Sequence, residues 1–373
     1  MSRELQRPVS DLPRLTSTPG IHGRIRSCPE DFRVEELPLY EATGDGEHAM
    51  LLIKKRELTT PRLVQLLGRS LGMTDRDIGV AGRKDSFAVT SQFVTVPAKS
   101  LNSLEPDAIQ AQLNLVEQLT SGQELRVLSA ARHRNKLKTG HLAGNRFLIV
   151  LRLENASPAP ALNSVETILA EIERNGFPNY FGEQRFGHSN NSDGDGFRLL
   201  CGEKVRRLNR TALRFTLSAA QSRLFNEWTA RRIEEGLATT VLPGDVMQVV
   251  ESGGCFVVEA GRLASEQSRF DQRETVLTGP MFGPKMKVAC GEPADREAAI
   301  LSAASLTGDE FANFRKMTAG ARRPMLVWPQ ELDVKQTGET ELLLSFILPP
   351  GTYATSLLRE VIHEPALPRT AAF

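Results

Sequence analysis

Three segments in the first third of the chain alternate apolar and polar residues with the two-residue period of a β-strand. They are Phe32 to Glu36, Glu47 to Lys55 and Ala88 to Val96. Between the second and third, Pro61 to Leu71 has the pattern of a helix, with a threonine cap, a proline in the first turn and Gly72 at the end. Strands and helices interleaved in this way predict a fold that mixes α and β structure.

Later segments extend this pattern. Asn163 and Ser218 are each followed three positions later by Glu or Gln, which predicts helix starts there and helix ends near Gly176 and Gly236. Predicted strands are Asn145–Leu153, Val241–Val250, Cys255–Ala260 and Glu341–Leu348, and further predicted helices are Ala294–Leu306, Asp309–Ala319 and one from Thr355.

Composition limits the class of protein. The 373 residues are enough for two domains, and 40% hydrophobic with 24% charged residues is typical of a soluble protein. Apolar runs such as Ala49 to Ile53 fall far short of the roughly 20 residues that span a bilayer, and the N-terminus has no signal-peptide pattern. The four cysteines are too dispersed for a zinc knuckle and too few for a disulfide framework, which predicts a cytoplasmic protein.

Positive charge is clustered although the net charge is only +1. Four cations occupy every second position of one segment: Arg132, Arg134, Lys136 and Lys138. In an extended segment all four would share one face and could follow a phosphate backbone. A second cluster lies at residues 204–210. Each cluster could equally be a solvated surface, and this alternative stays open.

The segment from Ala81 to Gln92 places one acid, Asp85, beside Arg83 and Lys84 at a glycine turn before a strand. Neighbouring cations favour the charged form of a carboxyl group, so Asp85 could be an ionised nucleophile. Turns of this composition are also common in solvated loops. The residues alone leave both interpretations open.

Gly82 to Asp85, followed by Ala88 to Gln92, resembles the catalytic signature of the TruD family of tRNA pseudouridine synthases. Four further segments resemble that family in the same order: Pro29–Glu36, Gly144–Phe147, Pro178–Gly187 and Gly351–Glu360. Five matches in register make chance agreement improbable.

The resemblance implies an α+β fold. Its catalytic domain, of the pseudouridine synthase type, has a mixed, largely antiparallel sheet flanked by helices and is interrupted by a smaller α/β insertion domain. We expect the catalytic domain to comprise residues 1–175 and 323–373, and the insertion residues 176–322.

The implied activity is isomerisation of uridine-13 of tRNA to pseudouridine, with base flipping and Asp85 as the nucleophile. Attack at the uracil ring and attack at ribose C1′ both remain open. The reaction involves no redox change and no net hydrolysis, so no cofactor and no metal are expected. The expected partner is tRNA, and the sequence indicates neither a membrane nor an obligate protein partner.

By the same resemblance, Phe32, Asn145 and Tyr353 lie where the family contacts the nucleotide. Phe32 and Tyr353 could sandwich the uracil, and the Asn145 amide can donate and accept hydrogen bonds at once. The family usually has phenylalanine at the position of Tyr353.

The cation that pairs with Asp85 is not fixed by the sequence. Lys84 is possible, although adjacent side chains on a strand point in opposite directions. Arg26 matches a position where the family has a basic residue, usually lysine, and is the other possible partner.

Three aromatic residues, Tyr180, Phe181 and Phe186, lie in the Pro178–Gly187 segment together with Arg185. They could form a platform for RNA or pack between domains. We favour packing for the rings and a functional role for the polar residues.

Two acidic patterns resemble metal sites without completing one. The run from Asn191 to Gly196 begins like a calcium loop, but the final acid comes one residue late, at Glu203, so a turn is predicted. Asp45, Glu47 and His48 alternate along a predicted strand and cannot all converge on one ion.

Two other functions remain as alternatives. A non-catalytic RNA-binding or RNA-remodelling protein of the same fold is disfavoured because Asp85 is present. A pseudouridine synthase acting on another RNA stays open, since the choice of target depends on surface shape that no motif encodes.

Overall fold

The computed structural model describes residues 7–114, 118–154, 157–187 and 192–362. The strands are β1 Gly23–Arg24, β2 Phe32–Pro38, β3 His48–Arg56, β4 Gly79–Val80, β5 Val89–Pro97, β6 Glu124–His133, β7 Leu142–Leu153, β8 Phe177–Pro178, β9 Val246–Val249, β10 Cys255–Val257, β11 Thr275–Met281, β12 Ala321–Pro324, β13 Leu326–Val327, β14 Gln330–Gln336 and β15 Glu341–Leu348. The α-helices are α1 Thr60–Leu71, α2 Pro106–Leu113, α3 Pro158–Asn175, α4 Ser192–Leu200, α5 Arg210–Glu234, α6 Leu263–Asp271, α7 Gly291–Ala303 and α8 Ala354–Val361.

The chain divides into two compact units. The large-sheet unit consists of the described parts of Thr18–Ala170, Pro329–Thr352 and Val361–Phe373. The small-sheet unit consists of the described parts of Met1–Ser17, Glu171–Trp328 and Tyr353–Glu360. The small-sheet unit thus extends past both ends of the insertion expected at residues 176–322, by residues 171–175 and 323–328, and also takes in the described part of Met1–Ser17 and Tyr353–Glu360. That the large-sheet unit is catalytic stays a prediction.

The large-sheet unit contains a sheet with strand order β14-β15-β7-β2-β5-β3-β6, to which β1 adds beside β7 and β4 beside β5. Only β2 and β5 run parallel among its described pairs, with Arg33 opposite Val89. The other pairs in this sheet are antiparallel. The prediction of an α+β fold with a mixed, largely antiparallel sheet is confirmed.

Helix α1 packs on this sheet and begins where the sequence predicts. The Thr59 side chain accepts a hydrogen bond from the Arg62 backbone N–H, and Gly72 ends the helix in the left-handed region, at φ 64°. Leu63, Leu66 and Leu67 are fully buried against the core of the sheet. The apolar side of α1 therefore covers one face of β3 and β5.

The small-sheet unit has a four-stranded antiparallel sheet, in the order β10-β9-β11-β12, and a β8–β13 pair. Its core packs around α5, whose Leu217 and Leu224 are fully buried. Tyr180, Phe181 and Phe186 are also buried and pack together in this unit. These three rings are core residues rather than an open platform for RNA.

Two predicted helix starts are wrong. Helix α5 begins at Arg210, where the Asn209 side chain accepts from the Ala212 N–H at 2.8 Å, so Ser218 lies well inside it. Helix α3 begins at Pro158, which places Asn163 inside that helix too. A polar residue followed three positions later by Glu or Gln also forms a neighbouring pair on a helix surface, so the pattern recurs within helices.

The predicted turn at Asn191 to Gly196 is wrong where it can be compared. Asn191 lies outside the described residues, and α4 begins at Ser192. Asp193 is buried in an ion pair with Arg223 at 2.6 Å, so this acid stabilises helix packing.

No helix among the described residues is long and apolar enough to cross a bilayer.

Candidate active site

The Asp85 loop, residues 81–88, connects β4 to β5 at one end of the large sheet. The Lys84 backbone N–H donates to Thr60 Oγ1 at 2.9 Å, which ties the loop to the first residue of α1. The Ala88 N–H donates to the Ser86 carbonyl at 2.9 Å and closes the loop before β5 begins. The Asp85 side chain, between these two anchors, is 39% exposed and can be reached by a substrate.

Arg26 forms the ion pair with Asp85, with 2.5 Å between Nη2 and Oδ2. The Arg26 side chain is only 3% exposed, and its guanidinium carbon lies 3.8 Å from the centroid of the Phe32 ring. The Arg26 backbone has φ 60°, in the left-handed region that non-glycine residues rarely occupy. Packing on Phe32 therefore holds a positive charge directly against one oxygen of Asp85.

Lys84, the other possible partner of Asp85, is engaged elsewhere. Its ammonium group makes a buried ion pair with Glu36. The second oxygen of Glu36 accepts from the Phe93 backbone N–H at 3.0 Å. Of the two cations considered from the sequence, Arg26 is thus the one that contacts Asp85, while Lys84 fixes the loop to β2.

Lys55 is a third cation of the site, and the sequence reasoning missed it. Its side chain is 1% exposed and donates to the Leu58 carbonyl. Burial lowers the pKa of Lys55 to about 8, against the opposing effect of the negative charge of Asp85. The alternation of β3 could have revealed that Lys55 is buried, because Lys55 continues the inward-facing series formed by Leu51 and Ile53.

We expect replacement of Lys55 by methionine to change how stability depends on pH. The folded chain has a pKa of about 8 at Lys55 against an ordinary value of 10.5, so the unfolded chain binds more protons between these pH values. The cost of burying Lys55 therefore falls as the pH rises through this window. The free energy of unfolding of the wild type should increase by roughly 2 to 3 kcal/mol relative to that of Lys55→Met between pH 7 and pH 10.

Urea unfolding of both proteins at several pH values measures this difference. Lys54→Met, which removes the exposed neighbour on the opposite face of β3, controls for loss of a lysine as such. Parallel stability curves for the wild type and Lys55→Met would contradict the assignment of a depressed pKa to Lys55.

Asn145 lies on β7, opposite Glu36 of β2 and Leu348 of β15. A side chain at the preceding residue, Gly144, would come within 2.6 Å of the Leu348 carbonyl, so glycine permits the close approach of these strands. The Asn145 Oδ1 atom is buried and has no hydrogen-bond partner among the described residues. A buried acceptor without a partner costs about 1–3 kcal/mol, which a substrate N–H could recover.

The two rings expected to sandwich the uracil have different surroundings. Phe32 is 1% exposed, with Arg26 over its ring and the edge of Phe147 at a centroid distance of 6.1 Å. Tyr353 belongs to the small-sheet unit, where it is 39% exposed and its ring centroid lies 6.1 Å from that of Phe181. The immediate role of Phe32 in this structure is to support Arg26, and contact of either ring with uracil stays a prediction.

The four cations of the predicted stripe are Arg132, Arg134, Lys136 and Lys138. The expectation that one strand face carries them is wrong, because β6 ends at His133 and only Arg132 lies within it. Arg134 makes a bidentate ion pair with Asp45, at 2.8 Å for the shortest contact. The Lys136 ammonium donates to the Arg76 carbonyl. Contact of these cations with RNA stays a prediction.

Among the described residues, no group of three or more His, Cys, Asp or Glu side chains is arranged to hold a metal ion. Asp45, considered above as a ligand type, is used by Arg134.

Comparison with known proteins places this geometry in context. The family model described as tRNA pseudouridine synthase D (TruD) matches residues 12–203 and 200–361. A tRNA pseudouridine synthase D of Thermus thermophilus is 41% identical over 349 residues, covering 94% of this chain and 91% of the relative. One from Anaeromyxobacter dehalogenans is 36% identical over 371 residues, covering 97% of this chain and 100% of the relative.

A solved structure supports the fold. The crystal structure of a protein described as putative tRNA pseudouridine synthase D (TruD), from Methanosarcina mazei, superposes with a TM-score of 0.74 and covers 98% of each chain. Its sequence identity to this chain is 22%, so the likeness concerns the fold.

Proposed function

This chain belongs to the TruD family of tRNA pseudouridine synthases, and we propose that it isomerises uridine-13 of tRNA to pseudouridine with Asp85 as the nucleophile. The observation that carries the proposal is the half-exposed Asp85 carboxylate held at 2.5 Å by the buried Arg26. A nucleophilic carboxylate has to be charged and oriented, and this ion pair provides both. As an enzyme acting on tRNA, the protein works in the cytoplasm.

The reaction breaks the bond between N1 of uracil and C1′ of ribose and forms a bond between C5 and C1′. Asp85 attacks either the uracil ring or C1′, the N1–C1′ bond breaks, and the detached base turns so that C5 bonds to C1′. After attack at C1′ the carboxylate leaves as this bond forms, and after attack at the ring it leaves as the C5 proton is lost. The C5 hydrogen departs as a proton and N1 ends with a hydrogen, so atoms and electrons balance with no external oxidant or reductant.

Side chains of the large-sheet unit suit these steps. The target base leaves its stack before it can reach the carboxylate, as for other enzymes that act on a base inside folded nucleic acid. The buried, unpaired Oδ1 of Asn145 can accept from the N3–H of uracil and keep the base from diffusing away. Arg26 counters the negative charge that returns to Asp85 when the carboxylate leaves.

The proposal is tested by incubating the purified protein with a tRNA transcript labelled with tritium at C5 of uridine. We expect tritium release to water, because the C5 hydrogen is lost once per turnover. Absence of release, with a protein whose circular dichroism confirms folding, would overturn the proposed function.

We expect this activity to be independent of metals and of small-molecule cofactors. Every step uses a carboxylate, a guanidinium and an amide of the chain itself, so dialysis against EDTA should change the rate of tritium release by less than about twofold. The same assay, with and without added Mg²⁺, measures this. Because tRNA folding also responds to Mg²⁺, the transcript is refolded and its folding checked before each assay. Loss of activity restored by one particular metal would contradict the mechanism.

A further inference from the structure

A pocket lies in the large-sheet unit, at the end of β6 and beside the segment that leads into β7. Its cavity volume is about 370 Å³. The lining includes the rings of Tyr40, His133 and His141 and the side chains of Asn135, Lys136 and Lys138. This volume is at the low end of pockets that hold a small ligand, so it suits one nucleotide rather than a helix.

The rings of this pocket are fixed in place. Tyr40 stacks on His133 with 5.2 Å between centroids and 10° between planes. The Tyr40 hydroxyl and His141 Nδ1 are hydrogen-bonded at 2.7 Å. Tyrosine and histidine rings are surfaces on which unpaired RNA bases stack. The stacking contact and the hydrogen bond therefore hold the three rings together as one surface of the pocket.

His133 is the feature that points to a ligand. It is 3% exposed, and neither ring nitrogen has a hydrogen-bond partner among the described residues. Burial and the neighbouring His48 lower the pKa of His133, so the ring is neutral at pH 7 and has one donor and one acceptor. Buried polar groups are nearly always satisfied, and a nucleobase edge carries both donors and acceptors, so it can pair with the ring nitrogen that faces the pocket in either tautomer.

The charges on the rim select among possible ligands. Lys136 and Lys138 can contact a phosphate, which is the sequence-independent part of RNA binding. The Glu41 carboxylate also lines the pocket and disfavours a bare anion. Aromatic rings, an unpaired imidazole nitrogen and two rim cations together fit a nucleoside with its phosphate better than a free phosphate ion.

The pocket is connected by backbone to the Asp85 loop. The Gly140 N–H donates to the carbonyl of Ala81, the first residue of that loop, at 2.8 Å. The Leu137 N–H donates to Thr95 Oγ1 of β5 at 2.9 Å. An RNA nucleotide held by residues 133–141 is thus held by a segment that also positions the catalytic loop.

We propose that this pocket binds a second, unpaired nucleotide of the RNA substrate, with its base against Tyr40 and His133 and its phosphate at Lys136 and Lys138. The inference rests on the proposed function for the identity of the RNA. In this proposal the pocket binds and positions the RNA substrate and takes no part in bond making or breaking.

Ultraviolet cross-linking of the wild-type chain to unmodified tRNA tests the proposal without any substitution. We expect mass spectrometry to find a nucleotide attached to a peptide that contains Tyr40 or His133. Because cross-linking requires binding alone, it reports on the pocket whether or not the protein turns over.

Variants give an independent measurement of tRNA binding at fixed salt. Tyr40→Ala should weaken binding about tenfold, as for loss of one stacking surface, with a smaller change for Lys138→Ala. The control is Lys335→Ala, an exposed lysine on β14 at the opposite edge of the same sheet, and it should bind as the wild type does.

The outcomes separate the two proposals. If the wild type releases tritium from tRNA but gives no adduct at Tyr40 or His133, and Tyr40→Ala binds normally, the pocket proposal is overturned and the proposed function stands. If the wild type forms no pseudouridine, the proposed function fails, and an adduct at the pocket still supports RNA binding there. Should Tyr40→Ala fail to fold, the wild-type cross-link decides.

Discussion

Asp85→Asn abolishes pseudouridine formation and leaves tRNA binding nearly intact: this is the largest effect that we expect. The amide keeps the size of the carboxylate but cannot act as a nucleophile, and loss of the attacking group should lower turnover by more than about 10³-fold. Asp85 is one partly exposed side chain, and affinity for RNA comes mainly from phosphate contacts, so the dissociation constant should change by less than about threefold.

Tritium release from labelled tRNA measures the turnover, and a binding titration at the same salt concentration measures the affinity. Asp333→Asn, an exposed acid on β14 of the same unit, is a matched control that should retain full activity. Turnover by Asp85→Asn within tenfold of the wild type would contradict the assignment of Asp85 as the nucleophile.

Arg26→Ala should give the second largest effect, a fall in turnover of about 10² to 10³-fold, comparable with loss of one charge-stabilising group in other active sites. Without Arg26, the Asp85 carboxylate loses its 2.5 Å partner and the Phe32 ring loses the guanidinium that covers it. The cost in stability should be smaller than the roughly 3–5 kcal/mol of a broken fully buried pair, because Asp85 is partly exposed and water can replace the arginine.

Arg26→Lys separates charge from shape. Lysine keeps the positive charge but loses the planar group that packs on Phe32, so turnover should lie between those of the wild type and Arg26→Ala. Arg33→Ala, an exposed arginine on β2, is the matched control. Equal turnover of Arg26→Ala and the wild type would contradict the assignment of Arg26 as the cation on which Asp85 depends.

Local patterns predicted the elements whose ends carry a strong signal. Helix α1 is such a case, with a threonine cap and a terminal glycine, and β15 has the predicted bounds Glu341–Leu348. The predicted start of α5 was wrong because the pattern at Ser218 is equally compatible with a helix interior. The 25-residue helix starts after Asn209, which caps it through its own side chain.

The chemistry of the site was less predictable than its location. Asp85 could be singled out because its motif is local, whereas its partner Arg26 is 59 residues away in the sequence. Lys84 is adjacent to Asp85 in sequence, yet its charge is used by Glu36. Which cation faces which carboxylate depends on strand register in the large sheet, and a sequence pattern does not specify register between distant strands.

Formation of pseudouridine at one position of tRNA is the property on which the assigned roles of Asp85 and Arg26 depend. The most direct test is to map pseudouridine at nucleotide resolution in an unmodified tRNA transcript after incubation with the purified wild-type protein, beside the same transcript carrying cytidine at position 13. We predict pseudouridine at position 13 of the first transcript and none in the second. Pseudouridine at other positions alone, or none in either transcript with a folded protein, would contradict the proposed function.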